Sequence, residues 1–201
     1  MLWVAAHPLV LASRSPVRGA ILEAAGIPID PIAPDLDERA VEARAGPLGA
    51  TDAALLLARE KARAVTPPVP GQFVLGADQT LALGPARFTK PDDVKAAREQ
   101  LRALSGRTHE LCSAIAVAKD GRVIFNHCEV ARMTMRSLSD RFLDVYLDAA
   151  GSAVTTSVGA YQLEKLGIHL FERIEGDHFT ILGLPLIHLL GFLRREGCLA
   201  G

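Results

Sequence analysis

Leu9-Val10-Leu11-Ala12-Ser13-Arg14-Ser15-Pro16-Val17-Arg18 changes from one kind of structure to another within a few residues. The apolar block Leu9–Ala12, bounded by Pro8 and by the Ser13–Pro16 cluster, predicts a short buried strand. Ser15 before Pro16 predicts a helix start, because the hydroxyl can cap and proline's missing N–H costs nothing at the first helical position. Val17, Ile21 and Leu22 then recur at helical spacing as far as Gly26, a helix stop. Ser13 to Arg18 is therefore a strand-to-helix turn. Such a turn presents backbone N–H groups and the positive end of a helix dipole, which suit a phosphate. Ser13, Ser15, Arg14 and Arg18 would add donors. A plain helix cap with surface arginines explains the same residues, and both readings stand at this point.

Beyond Gly26 the pattern alternates. Pro28 to Gly49 carries four prolines, two glycines and the acidic group Asp35-Leu36-Asp37-Glu38, and reads as an irregular loop. Thr51-Asp52 opens a helix over Ala53 to Val65, ended by Pro67-Pro68. Phe73-Val74-Leu75 predicts a second short buried strand running into Gly76-Ala77-Asp78-Gln79. Asp92 caps a helix reaching Leu104, and Ser105-Gly106 stops it. Residues 108 to 134 read as a hairpin turning at Asp120-Gly121. Ser139-Asp140 starts a helix through Leu147, Ile168 to Ile174 reads as a strand, and Pro185 to Arg195 as a final amphipathic helix closed by Gly197. Alternating strands and helices followed by a hairpin predict an α/β fold on a mixed sheet. There is no internal repeat and no linker long enough to divide the chain, so residues 1–201 read as one domain.

Composition narrows the function. In 201 residues, 22 lysines and arginines face 23 acids, for a formal net charge of −1. That balance disfavours a general nucleic-acid or membrane-surface binder, which needs a basic excess. Aromatic residues make up 5%, too few for base-stacking platforms along a single strand. No apolar run reaches the roughly 18 residues of a membrane span. The three cysteines, Cys112, Cys128 and Cys198, show neither CxxC pairing nor zinc spacing, and an odd, unclustered number fits a reducing compartment. The expected location is the cytoplasm.

Asp78 follows Val74-Leu75-Gly76 at the expected carboxyl end of a buried strand, where open α/β sheets place ligands. A carboxylate there can hold a hard divalent cation or accept a proton from water. It reads equally as a turn aspartate. Asp35, Asp37 and Glu38 offer a second metal-binding carboxylate or a solvated acidic loop. Lys61 reads by default as a surface lysine beside Glu60, and Lys90 is held extended by Pro91. Together these residues make a set for metal-assisted phosphoryl chemistry, although no GxxxxGK[ST] or GxGxxG loop is present. The six histidines are scattered and read as structural or surface residues.

Leu11-Ala12-Ser13-Arg14-Ser15-Pro16-Val17-Arg18, Gly76-Ala77-Asp78-Gln79, Lys90-Pro91, Leu104-Ser105-Gly106-Arg107-Thr108-His109-Glu110, Leu170-Phe171-Glu172-Arg173-Ile174-Glu175-Gly176 and Gly183-Leu184-Pro185-Leu186 follow one another in that order. The series resembles the Maf family, also called septum-formation-inhibitor proteins, over almost the whole chain. The resemblance implies a two-lobed Maf/ITPase-like α/β fold on a long mixed sheet, often dimeric, with an active-site cleft. It implies a nucleoside triphosphate pyrophosphatase that gives the monophosphate and pyrophosphate with a divalent metal, Mg²⁺ or Mn²⁺. Asp78 carries over as the proton acceptor, and Ser13, Arg18, Glu38, Lys61 and Lys90 as the other pocket positions. Because a metal-bound carboxylate is a weaker base, Glu38 is expected to carry more of the metal and Asp78 more of the water.

Val17, Gln79 and Glu164 stand where the dTTP- and UTP-preferring branch has an arginine, a threonine and a glutamine. All three resemble the branch that acts on 7-methyl-GTP. Gln79 and Glu164 are thus expected at the substrate, since a carboxylate at Glu164 can accept bonds from a guanine edge or attract a methylated, cationic one. Thr89 departs from the glycine usual before Lys-Pro. The alternatives are a dTTP/UTP-preferring enzyme and a non-catalytic nucleotide-binding regulator, in line with the family's link to arrest of cell division. Trp3 reads either as a packing residue or as a cation–π partner for a methylated base.

Overall fold

The computed structural model describes residues 2–200. In chain order the elements are β1 (Leu9–Ala12), α1 (Pro16–Ala24), β2 (Ile29–Pro31), α2 (Glu38–Ala45), α3 (Ala50–Ala64), β3 (Val74–Leu83), β4 (Ala86–Phe88), α4 (Val94–Leu104), β5 (Thr108–Lys119), β6 (Arg122–Met135), α5 (Asp140–Ala150), β7 (Phe171–Glu175), α6 (His178–Ile181) and α7 (Leu186–Arg195). Three short 3-10 helices lie between α5 and β7. The strands form one seven-stranded sheet in the order β2-β1-β3-β5-β6-β7, with β4 pairing β3 off that path. It is a mixed sheet. β1 pairs in parallel with β2 and β3, whereas β3/β4 and β6/β7 are antiparallel. Among the described residues no helix is long and apolar enough to cross a membrane.

The chain divides into two compact units. The first holds the residues up to Gln79, Ser113–Glu129 and those from His178 onward; the second holds Thr80–Cys112 and Val130–Asp177. The core of the first is built on β1, whose four residues are all buried, together with Ile21 and Leu22 of α1, Leu75 and Ala77 of β3, and Leu189, Phe192 and Leu193 of α7. In the second, α4 buries Ala97, Leu101 and Leu104, and α5 buries Leu143, Tyr146 and Leu147.

The β1–α1 turn, the Asp120-Gly121 hairpin, α5 and α7 lie where the sequence predicts them. Asp120 and Gly121 have φ of 49° and 75°, the two positive values a tight hairpin turn demands. Elsewhere the structure corrects the prediction. No side chain caps α1; Ser15 N–H instead donates to Ser13 Oγ at 3.1 Å. The predicted loop of residues 28–49 contains β2, paired with β1, and α2, capped by Asp37 through Ala40 N–H at 3.0 Å. Asp93, rather than Asp92, caps α4. The predicted strand over Ile168–Ile174 is a 3-10 helix as far as Leu170 and extended only from Phe171. β3 does not end at Leu75 but runs on to Leu83, so Asp78 is a strand residue and not a turn residue.

Candidate active site

That longer strand still delivers Asp78 to a ligand position. β1 last pairs with β3 at Ala12↔Gly76, so Asp78 lies two residues past the carboxyl end of its parallel neighbour, next to where the chain leaves for α1. It is the location expected for a ligand in a parallel sheet, reached because the neighbouring strand stops.

Lys61 comes to Asp78 from α3. That helix buries Ala53, Ala54, Leu57, Ala58, Lys61 and Ala62, a stripe of small residues at helical spacing that places Lys61 inward. The approach is close because position 76 is glycine. A Cβ there would stand 2.1 Å from Ala58 O and 2.6 Å from Ala62 N. Lys61, the default surface residue of the sequence reading, is thus 8% exposed, and its Nζ meets Asp78 Oδ1 at 2.6 Å and Glu38 Oε1 at 2.9 Å. Glu38 arrives as the first residue of α2, and its side chain is half exposed. One ammonium therefore bridges a buried and a solvent-facing carboxylate.

Arg18, on the buried face of α1, completes the cluster. Its Nε donates to Gly183 O at 2.8 Å; its Nη1 donates to Ala77 O at 2.8 Å and to Ser13 Oγ at 3.3 Å. Gly183 has φ of +87°, and a side chain there would press on the guanidinium. Nη2 has no partner among the described residues. Burial lowers the Arg18 pKa, opposed by the nearby Asp78 and Glu38 carboxylates. Burial also raises the Asp78 pKa, while Lys61 and Arg18 pull it back. A carboxylate so raised is a better proton acceptor than one in water.

Gln79 Nε2 donates to Ser113 Oγ at 2.9 Å and to the carbonyls of Thr180 at 3.3 Å and Ile181 at 2.9 Å. Ser113 Oγ in turn donates to Thr180 O at 2.7 Å. Ser113 and the 180–183 segment are contributors that the sequence reading missed. Their only sequence signal was the glycine of Gly183-Leu184-Pro185 ahead of a helix. Ser13, Arg18, Glu38, Lys61, Asp78 and Gln79 all belong to the first unit. Lys90 and Glu164 belong to the second, and both are exposed. Trp3 forms an isolated bridge with Leu199 and donates Nε1–H to His7 O, which is the packing role.

Two carboxylates and two cations sum to no formal charge, so these four side chains alone give a polyanionic triphosphate no net attraction. Asp78 and Glu38 each keep a second oxygen outside the lysine contact. Those oxygens are the hard donors that Mg²⁺ or Mn²⁺ uses alongside phosphate oxygens and water. The donor set therefore fits such an ion.

The family model of the Maf-like protein matches residues 8–196. The chain belongs to the Maf family. A Maf relative from Bradyrhizobium diazoefficiens, named nucleoside triphosphate pyrophosphatase, is 58% identical over 99% of this chain and 98% of its own. One from Brucella abortus, named 7-methyl-GTP pyrophosphatase, is 51% identical over 96% of this chain and 98% of its own. A solved nucleoside-triphosphatase, dITP/XTP pyrophosphatase, from Mycobacterium abscessus is 18% identical with a TM-score of 0.39, over 66% of this Maf chain and 76% of its own. A likeness that slight carries no argument.

Proposed function

We propose that this Maf protein hydrolyses the α–β phosphoanhydride of 7-methyl-GTP or another modified nucleoside triphosphate, releasing the monophosphate and pyrophosphate. The enzyme class, nucleoside triphosphate pyrophosphatase, rests on family membership and on relatives that match end to end. The observation that carries the site is the Lys61 bridge between Asp78 and Glu38, set beside Arg18 and Ser13 at the end of β1.

In this reading the oxygen of a water bonds to phosphorus, the bridging P–O bond breaks, and Asp78 takes the proton. Lys61, and Arg18 through its remaining Nη2, stabilise the charge gathering on the leaving pyrophosphate. Lys90 adds a third cation. Ser13 Oγ orients Arg18. Gln79 holds the 180–181 carbonyls, and its Oε1 is left for the substrate. Asp78 and Glu38 would hold Mg²⁺ or Mn²⁺, which when bound screens the phosphate charge and polarises the bond to be cleaved. The nucleobase reading rests on Glu164, whose carboxylate suits a guanine edge made cationic by methylation, and is supported by the name of the Brucella relative. We place the reaction in the cytoplasm.

Pyrophosphate release from dTTP, UTP, GTP and 7-methyl-GTP with Mg²⁺ or Mn²⁺ tests both levels. Fastest release from 7-methyl-GTP, lost selectively in Glu164→Gln, is the expected result. Preference for dTTP or UTP would discard the base assignment and keep the enzyme, and binding without release would leave a regulator.

A further inference from the structure

Histidines that look scattered in sequence are brought together by one strand and one helix. On β6, Phe125, His127 and Glu129 alternate and so share a face. On α7, His188 and Phe192 are one helical turn apart. The two elements meet as a ladder with two rungs. Phe125 stacks on Phe192 at 4.7 Å between ring centroids, and His127 stacks on His188 at 3.7 Å. The hydrophobic rung fixes the register that aligns the imidazoles.

At the imidazole rung, one ligand atom from each of His127, Glu129 and His188 lies within 4.8 Å of the other two. His188 Nε2 is 3.5 Å from Glu129 Oε2. Two ligand atoms on a tetrahedral zinc are about 3.3 Å apart, given metal–nitrogen distances near 2.0–2.1 Å. His127 Nε2 is buried and has no hydrogen-bond partner among the described residues, so the cost of burying it is not met by the protein. His188 is exposed, which leaves a coordination position open to water. All three residues belong to the first unit.

We propose that His127, Glu129 and His188 form a second cation site, separate from the Asp78–Glu38 pair and selective for a borderline divalent transition metal of the Zn²⁺ class. Two imidazoles and one carboxylate prefer such an ion over Mg²⁺, which seeks oxygen and keeps its water. Glu129 Oε2 also accepts from Thr180 Oγ1 at 3.0 Å, and the carbonyls of Thr180 and Gly183 hold Gln79 and Arg18. The ion would thus rest against the segment that positions the phosphate-binding arginine.

The test is a titration of the metal-free full chain with Zn²⁺ against a chromophoric chelator, in excess Mg²⁺ so that the carboxylate pair is occupied. One equivalent should bind, and His188→Ala and Glu129→Gln should each weaken it by roughly 100-fold. His188 is exposed and glutamine still accepts from Thr180, so melting curves of both metal-free variants should match the parent. Cobalt loading should give visible d–d bands without a thiolate charge-transfer band, because Cys128 alternates to the opposite face of β6. Parent-like affinity in both variants, a thiolate band, or no binding in excess Mg²⁺ would overturn the proposal.

Discussion

Asp78 holds its charge under opposed pressures: burial favours the neutral acid, and Lys61 and Arg18 favour the carboxylate. Asp78→Asn keeps the shape and removes the carboxylate proposed as the base. Turnover is expected to fall by roughly 10²–10⁴-fold, the usual worth of a general base, with nucleotide binding largely kept. Initial-rate kinetics and equilibrium nucleotide titration check the two halves. Lys61→Met acts differently, since it strands a buried carboxylate. It should cost about 3–5 kcal/mol in denaturant unfolding, and the double variant Lys61→Met/Asp78→Asn should recover part of that loss. A single variant as stable as the parent would sink the buried-bridge account. At this scale the sequence was uneven. Arg18 is legible in a strand-to-helix turn, Asp78 at the end of an apolar strand and Glu38 in an acidic loop, but Lys61 looks like a surface residue beside Glu60. Only the run of small residues Ala53, Ala54, Ala58 and Ala62 marked its face as one packed against a sheet.

Elements set the distances between those residues. Gly76 lets α3 lie against β3 with backbone nearly in contact, and so keeps Lys61 at 2.6 Å from Asp78. Gly76→Ala must push the helix away by about 1 Å. We expect roughly 3 kcal/mol less stability and about 10²-fold less turnover, read by thermal melts and kinetics. Unchanged values in both would remove Gly76 as the spacer. The misread elements share a cause. β2 is three residues long and exists because β1 lies beside it, a fact no local pattern carries. β3 outruns its apolar start because Gly76 to Leu83 pair with neighbouring strands, although Asp78 and Gln79 look like a turn. The start of α2 was readable from Asp37 followed by Glu38, a cap and an acidic first turn, but the surrounding prolines and glycines obscured it.

For the molecule as a whole, one buried histidine gives stability a pH dependence. His109, in the second unit, is fully buried, bonds Tyr161 Oη through Nε2 at 2.7 Å, and has Nδ1 without a partner among the described residues. Burial lowers its pKa from the ordinary 6.5 to about 4. Between those values the unfolded chain binds the extra proton and the folded chain does not. Stability is therefore complete above pH 6.5 and falls with pH toward 4, by up to about 3 kcal/mol from this group. Chemical denaturation between pH 7 and 4 should show that loss, and His109→Gln should flatten it; an equal slope in the variant would assign the loss elsewhere.

The first unit is assembled from three separated stretches of chain. Arg18 waits for the carbonyl of Gly183, and the core around β1 waits for Phe192 and Leu193. Residues of β1 and α1 can finish folding only with residues of α7 made much later, so loop-closure entropy must be met before the Ser13–Arg18 turn is ordered. A growing chain therefore carries β1 unfinished until α7 is made, open to capture by chaperones or to aggregation. Pulse-labelled hydrogen exchange during refolding should find the amides of β1 and α7 gaining protection together; early protection of β1 alone would show that the opening segment folds unaided.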